Sequence, residues 1–553
     1  MLILQILFLL SIGALGSPSF YTINSQAADK YRVDTLPGID GISNENQPTM
    51  YAGQLDISTE DSSKIFFWLF QSRAVKHDKL VIWLNGGPGC SSMDGALMEV
   101  GPFRVLPDGQ LEYNEGTWLH DADLLFIDQP KGTGLSTTNG TYAADLNQAT
   151  SDFWNFYSNF VEIFDYYSDK EIYLAGESYA GQYIPYFAHG ILENNAHLAK
   201  VMEMNYMVND LKIQPSTNED IDLKIPEILI SNKSVNLQGL LIGNGYIYPD
   251  VQALSYIPFA LSKGLLNSSD STQLNTVYKP HLACESVLRK PSNETVFTFS
   301  HPICTDEILD QLLNVTRQSS NDSYTCHNMY DYTLQSPYPS CGMEWPFDLP
   351  QVTSWLQNDT VLQHLNIESE TSWSECDGNV SSSLVNFNTT PSYFFLESLL
   401  DKIPIVLFNG GNDIICNHLG VENITDSLKW GNQTGWSSST KYFSMMLNGE
   451  NFGQVKSERN LTLMEIYNSS HMVPYDHSYS SRSVLNYLFG NYKNATTGEG
   501  NVIQFPNLNS EYSLGKFSTG FLVVICVCLV VSWAVILFSK FTNKSDYLRI
   551  DDE

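Results

Sequence analysis

The sequence predicts an α/β protein built on a largely parallel sheet, and three observations carry that expectation. Short apolar, β-branched runs at 65–69, 80–84, 123–127, 171–175 and 237–242 have the length and composition of buried strands. Several end in Gly-rich turns and lead into helical patterns, such as the one over 152–167, which is the alternation of a sheet covered by helices. A further strand-like run, 403–408, comes much later, after a stretch of different texture.

That stretch, 246–392, mixes helical segments, glycosylation acceptors and most of the cysteines without a strand rhythm. It reads as a helical, disulfide-bearing insertion that caps a body made of 17–245 and 393–490. Residues 491–516 are rich in Asn, Gly, Ser and Thr, a composition suited to a flexible stalk. The uncharged apolar run 517–538 is long enough to cross a bilayer as one helix, and Lys540 and Lys544 in the tail 539–553 follow it. Residues 1–16 are apolar and end in small residues, as a secretory signal peptide cut near Ser17 does, although no Lys or Arg precedes the run. A leader and a late span together predict a type I membrane protein with a lumenal body and a cytosolic tail.

Composition narrows the function classes. With 43% hydrophobic and 16% charged residues over 553 positions, the chain can bury a large core. A formal charge of −32 would repel a phosphate backbone, which excludes nucleic acid as a partner. Of nine cysteines, Cys526 and Cys528 fall in the apolar span and Cys416 lies in a motif considered below. Cys90, Cys284, Cys304, Cys326, Cys341 and Cys376 remain, an even set that supports disulfides in an oxidising compartment and leaves their pairing open. Asn-x-Ser/Thr acceptors at Asn139, Asn232, Asn267, Asn293, Asn314, Asn358, Asn423 and Asn494 mark loops open to glycosylation.

The chemistry begins at Gly176-Glu177-Ser178-Tyr179-Ala180-Gly181, between a predicted strand and a helical pattern. In that context Gly-x-Ser forms a nucleophile elbow: a sharp turn lifts the Ser178 oxygen and aims the Tyr179 amide at a developing oxyanion. Ala180 stands where the generic elbow has its second Gly. A serine nucleophile needs a base, and the α/β-hydrolase order of Ser, then acid, then His is met by Gly410-Gly411-Asn412-Asp413 and Ser470-His471-Met472-Val473-Pro474. His471 would take the Ser178 proton and return it to the leaving group, while Asp413 would hold the imidazole tautomer. The expected fold is therefore an α/β-hydrolase fold with an inserted cap and one C-terminal transmembrane helix.

With Asn85-Gly86-Gly87-Pro88-Gly89-Cys90-Ser91-Ser92, the elbow, Asp413-Ile414-Ile415-Cys416-Asn417 and His471-Met472-Val473-Pro474 in that order, the chain resembles the serine carboxypeptidase family over nearly the whole lumenal body. The resemblance implies a second oxyanion donor at the Gly87 amide. It also implies a site for the substrate's free carboxylate made of Asn85, Glu99 and Glu177, supported by Trp83. Neighbouring carboxyls cannot all ionise cheaply, so at least one would hold a proton and donate it, which favours activity at mildly acidic pH. Around the departing residue the resemblance places Asp94, Met98 and Met472, with Asp94 attracting Lys or Arg; the alternative for Asp94 is a helix-start aspartate facing the dipole. It further implies a Cys90–Cys376 disulfide, and Cys284–Cys341 and Cys304–Cys326 are the expected remaining pairs, leaving Cys416 free.

The expected activity is a serine carboxypeptidase that removes C-terminal residues, preferentially Lys and Arg, from peptides and proproteins. The topology is similar to that of fungal Golgi carboxypeptidases, so a trans-Golgi membrane is the expected location, and Tyr547-Leu548-Arg549-Ile550 has the Tyr-x-x-apolar pattern of adaptor-read sorting signals. No metal or other cofactor is needed, and the zinc pattern His-Glu-x-x-His does not occur. The alternatives are an esterase or acyltransferase on the same fold, or a carboxypeptidase of broad or apolar specificity. Asn468-Ser469-Ser470 is a glycosylation acceptor beside His471, and it is expected to stay bare because a glycan there would obstruct the site.

Overall fold

The computed structural model describes residues 26–506, apart from 59–60, 212–232, 290–298, 321–322, 369–370 and 498–499. The leader 1–16, the span 517–538, the tail 539–553 with Tyr547 to Ile550, and the acceptors Asn232 and Asn293 lie outside the described residues. Among the described residues no helix is long and apolar enough to cross a membrane.

The body is organised by one sheet of 13 strands. In chain order these are β1 (Arg32–Val33), β2 (Thr49–Asp56), β3 (Lys64–Gln71), β4 (Lys79–Leu84), β5 (Asp123–Asp128), β6 (Glu171–Glu177), β7 (Leu237–Gly243), β8 (Ile405–Gly410), β9 (Phe443–Leu447), β10 (Glu450–Glu458), β11 (Leu461–Ile466), β12 (Lys493–Thr497) and β13 (Gly500–Gln504). Their spatial order is β1-β2-β3-β5-β4-β6-β7-β8-β11-β10-β9-β13-β12. From β5 to β11 every neighbouring pair is parallel; the flanks are antiparallel except for the parallel pair β9–β13.

Period-two alternation divides each central strand between two cores. Ile65, Phe67 and Leu69 of β3 face one layer with Phe153, Phe156 and Phe160 of the helix Leu146–Ile163, whereas Phe66, Trp68 and Phe70 face the other with Trp355. Burial on both faces is why these strands read as unbroken apolar runs. The chain leaves β4 to form β5 on one side and β6 on the other. The loops after β4 and β6 therefore diverge at a switch point, the place where open α/β sheets leave a crevice.

Residues beyond β7 and before β8 form helices around a third core containing Tyr256, Phe259, Val277 and Ile308, together with a small antiparallel sheet of Gln318–Ser320, Ser323–His327 and Gln335–Pro337. The strands are too short and polar to have shown a period in the sequence. The disulfides are Cys90–Cys376, Cys284–Cys304 and Cys326–Cys341. The expected pairs Cys284–Cys341 and Cys304–Cys326 are thus corrected, because the partners meet locally. The helix Ser271–Leu288 packs Cys284 against Cys304, and the hairpin carrying Cys326 turns back so that Cys341 donates its amide to Pro337.

The stalk expectation is also corrected over its first part. β12 and β13 form a hairpin whose second strand pairs in parallel with β9, so these polar residues belong to the sheet. Their backbone hydrogen bonds to an edge strand hold them there, a source of order that side-chain composition does not reveal. Asn139, Asn267, Asn358, Asn423 and Asn494 are exposed and Asn314 is half-buried.

Candidate active site

The parallel strands deliver one polar segment each to the same edge of the sheet: Asn85 directly after β4, Ser178 directly after β6, Asn244 after β7, Asp413 after β8 and His471 after β11. Ser178 has φ 60°, the left-handed conformation that an elbow imposes on a non-glycine residue. Its amide donates to Gly243 O at 3.0 Å, and its carbonyl accepts from Tyr246 N at 2.8 Å and Gly181 N at 2.9 Å. A Cβ on Gly176 would lie 2.0 Å from Leu84 O, and one on Gly181 would lie 2.8 Å from Tyr246 N. The demand for glycine therefore falls at 176 and 181, and Ala180 is tolerated.

Gly86 presses against the elbow: a Cβ there would lie 2.5 Å from Tyr179 N. Gly87 has φ 104° and no room for a side chain beside Cys90. Among the described residues neither the Gly87 amide nor the Tyr179 amide donates to an acceptor of the chain. Two free amides on adjoining loops beside a serine can stabilise an oxyanion. The Gly-rich loop is fixed from behind by Asp128, which accepts from Ser91 Oγ at 2.7 Å, Ser92 N at 2.9 Å and Leu135 N at 2.8 Å.

His471 Nδ1 donates to Asp413 Oδ2 at 2.8 Å, with both side chains buried. Asn244 Nδ2 donates to the same oxygen at 2.7 Å, and the Ile415 and Cys416 amides add bonds at 3.0 and 3.3 Å. A carboxylate so surrounded holds Nδ1 protonated and leaves Nε2 as the basic nitrogen. The His471 amide donates to Tyr330 O at 2.8 Å, and the two rings are 5.2 Å apart. Ser178 and His471 line one cavity of about 180 Å³. On its other side Ser178 opens into a larger cleft of about 840 Å³ between Tyr179, Tyr246 and the insertion residues Phe299 and Leu313. Cys416 also lines that cleft, but burial pushes its thiol well up, so it is no thiolate.

Asn85, Glu99 and Glu177 come together as one buried group. Asn85 Nδ2 donates to Glu99 Oε1 at 3.0 Å and to Glu177 Oε1 at 3.3 Å, and its Oδ1 accepts from Trp83 Nε1 at 2.7 Å and Gly95 N at 3.1 Å. Trp83 thereby fixes which way the amide points. The two carboxyls are within hydrogen-bonding reach of each other, and among the described residues Glu99 Oε2 is otherwise unpartnered. Burial raises both: Glu177 well up, with the Glu99 charge adding to it, and Glu99 less, because hydrogen bonds from Glu177 and Asn85 and the Arg104 cation oppose burial. Such a pair retains a proton that it can donate to an anion.

Asp94 and Met472 line the smaller cavity, whereas Met98 packs into the sheet core and does not. Sequence reasoning overlooked Asn244, Tyr330 and Glu375. Asn244 follows a predicted strand in a Gly-Asn-Gly run, a readable signal; the other two sit in the insertion with no local signal.

A strand-borne serine at the switch point, with an acid-held histidine on the later loops, defines a serine hydrolase of the α/β-hydrolase class. The comparisons refine the class. The chain is 39% identical over 480 residues to a pheromone-processing carboxypeptidase KEX1 of Debaryomyces hansenii, covering 85% of this chain and 65% of the relative. It is 41% identical over 474 residues to the protein of the same description in Komagataella phaffii, covering 84% of this chain and 70% of that one. The chain thus spans about two thirds of the length of these relatives. Among solved structures, the prohormone-processing carboxypeptidase Kex1(delta)p of Saccharomyces cerevisiae superposes with a TM-score of 0.77 at 37% identity, over 87% of this chain and 99% of that one. The serine carboxypeptidase family model matches residues 37–491, and the chain belongs to that family.

Proposed function

We propose that this chain is a serine carboxypeptidase that removes C-terminal Lys and Arg from peptides and proproteins in the late secretory pathway. Ser178 attacks the last peptide carbonyl, His471 takes its proton and passes it to the leaving amine, and Asp413 stabilises the imidazolium. The Gly87 and Tyr179 amides hold the oxyanion, and water then releases the shortened peptide.

The observation that carries the exopeptidase reading is the Asn85 amide tied to two buried glutamates beside the nucleophile. An esterase has no use for such a group, whereas a free substrate carboxylate is matched by an Asn donor and a protonated carboxyl. Preference for basic ends is supported by Asp94 in the cavity next to Ser178 and His471, and by the similarity to pheromone- and prohormone-processing carboxypeptidases. Anchoring by 517–538, a Golgi location and adaptor binding at Tyr547 to Ile550 belong to the same reading and are supported by residue pattern. The deciding experiment compares a blocked dipeptide ending in free Lys with its C-terminal amide. Rapid hydrolysis of the acid alone is expected, and equal rates would remove carboxylate recognition from the account.

A further inference from the structure

Asp94 is the side chain named above as supporting a preference for basic ends. That carboxyl is only 5% exposed, and its Oδ1 has no hydrogen-bond partner among the described residues while the side chain lines the cavity beside Ser178 and His471. Leaving a buried carboxyl oxygen unmatched is costly unless a ligand supplies the partner.

The insertion brings a second acid to the same cavity. Glu375 lines it, and the backbone around Glu375 is anchored to the Gly-rich loop: Ser91 N donates to Glu375 O at 2.7 Å, and the adjacent Cys376 is bonded to Cys90 with their Cα atoms 3.9 Å apart. The other titratable groups facing this space are Asp94, Glu177, Tyr330 and His471, with Glu99 and Asp128 behind Asp94. Among the described residues no Lys or Arg lines it. Glu177 is engaged by Asn85, which leaves Asp94 and Glu375 without a cation.

We propose that Glu375 is a second specificity residue of the leaving-residue pocket, and that its carboxylate and that of Asp94 together hold the cationic end of a departing Lys or Arg side chain. This rests on the basic-end reading given above and extends it. Burial makes two adjacent anions expensive and pushes Glu375 up to about 7 and Asp94 well up, so the empty pocket keeps protons. An entering ammonium or guanidinium favours the ionised pair and displaces them. Selectivity for basic over apolar ends therefore rises as pH rises, while the carboxylate-binding pair loses its proton over the same direction.

The test uses the full-length protein and blocked dipeptides ending in Lys or Leu. Glu375→Gln is expected to lower the Lys-to-Leu ratio of kcat/KM about tenfold, equivalent to about 1.4 kcal/mol, with the change in KM for the Lys substrate. Asp94→Asn should act in the same direction, and Glu375→Asp should retain part of the ratio. If Glu375→Gln keeps the wild-type ratio while Asp94→Asn lowers it, Glu375 has no part and the basic-end reading survives. If the wild type itself shows no preference for Lys, that reading falls and this inference with it. Should Glu375→Gln melt before assay, Glu375→Asp decides alone: an increased KM for the Lys substrate supports the pair, and an unchanged one overturns it.

Discussion

The carboxyl edge of the parallel strands and the insertion that covers it hold their functional groups in different ways. Ser178, Asn85, Asn244 and Asp413 each follow a strand by at most a few residues, so sheet register sets their positions. Tyr330 reaches the site from a segment packed on the insertion's own small core, whereas Phe299 and the stretch carrying Glu375 lie on the two sheet cores, and a disulfide, a ring contact and backbone bonds tie these insertion groups to the edge. A rigid edge suits groups that must meet reacting atoms within tenths of an ångström, and a separately packed cap suits groups that select among side chains. The comparison predicts that changes at the edge abolish turnover, whereas changes in the cap alter selectivity or stability.

The largest effect expected is at the edge. Ser178→Ala should lower kcat by about 10⁶-fold and Asp413→Asn by about 10⁴-fold, with melting temperature nearly unchanged for the former. Stopped assays and thermal melts check both, and substantial activity in Ser178→Ala would break the comparison outright. Next comes Asn85→Ala, which strands two buried carboxyls. KM for a peptide with a free carboxylate should rise about 10- to 100-fold, in line with about 1–3 kcal/mol for an unmatched buried group, and an ester lacking that carboxylate should be affected less.

Joint replacement of Cys90 and Cys376 by Ser tests the seam between the two regions. A loss of about 2–4 kcal/mol in denaturant unfolding is expected, together with a lower Lys-to-Leu ratio as Glu375 loses its anchor. Retained selectivity would mean that the cap is positioned by packing alone.

The smallest effect is in pH. Glu99 and Glu177 titrate above the ordinary 4.5 when folded, so the folded chain keeps protons that the unfolded chain has released. Their contribution to stability is largest below that ordinary value and declines as pH rises toward their folded titration. KM for free-carboxylate substrates should climb in the same direction, because the proton donor is lost and a negative charge replaces it. Glu177→Gln should flatten both profiles, and unaltered profiles would place the titration elsewhere.

The residues that were readable share one property: local sequence forces their geometry. Ser178 sits between a strand and a helix where Gly176 and Gly181 have no room for a side chain, and Gly86 and Gly87 are equally constrained, so the elbow and its neighbouring loop carry their shape in a few letters. The central strands were legible because both faces are buried. By contrast, Met98 occupies the same short helix as Asp94 and yet turns into the core, and the polar hairpin of β12 and β13 passes for linker until it meets the edge at β9. The two local disulfides of the insertion depend on how its helices and hairpin pack, which cysteine counting leaves open.

The order of motifs along the chain was enough to nominate a nucleophile, a base and an acid, which the fold brings to one edge of the sheet, and to point to the family that the comparisons show. Only the folded arrangement decided that Glu375 shares a cavity with Asp94 and that Asn244 braces Asp413. The reason is physical: turn sterics and local hydrogen bonds act over a few residues and leave a trace in the sequence, whereas burial, charge coupling and hydrogen bonds between segments more than a hundred residues apart exist only once the sheet has brought them together.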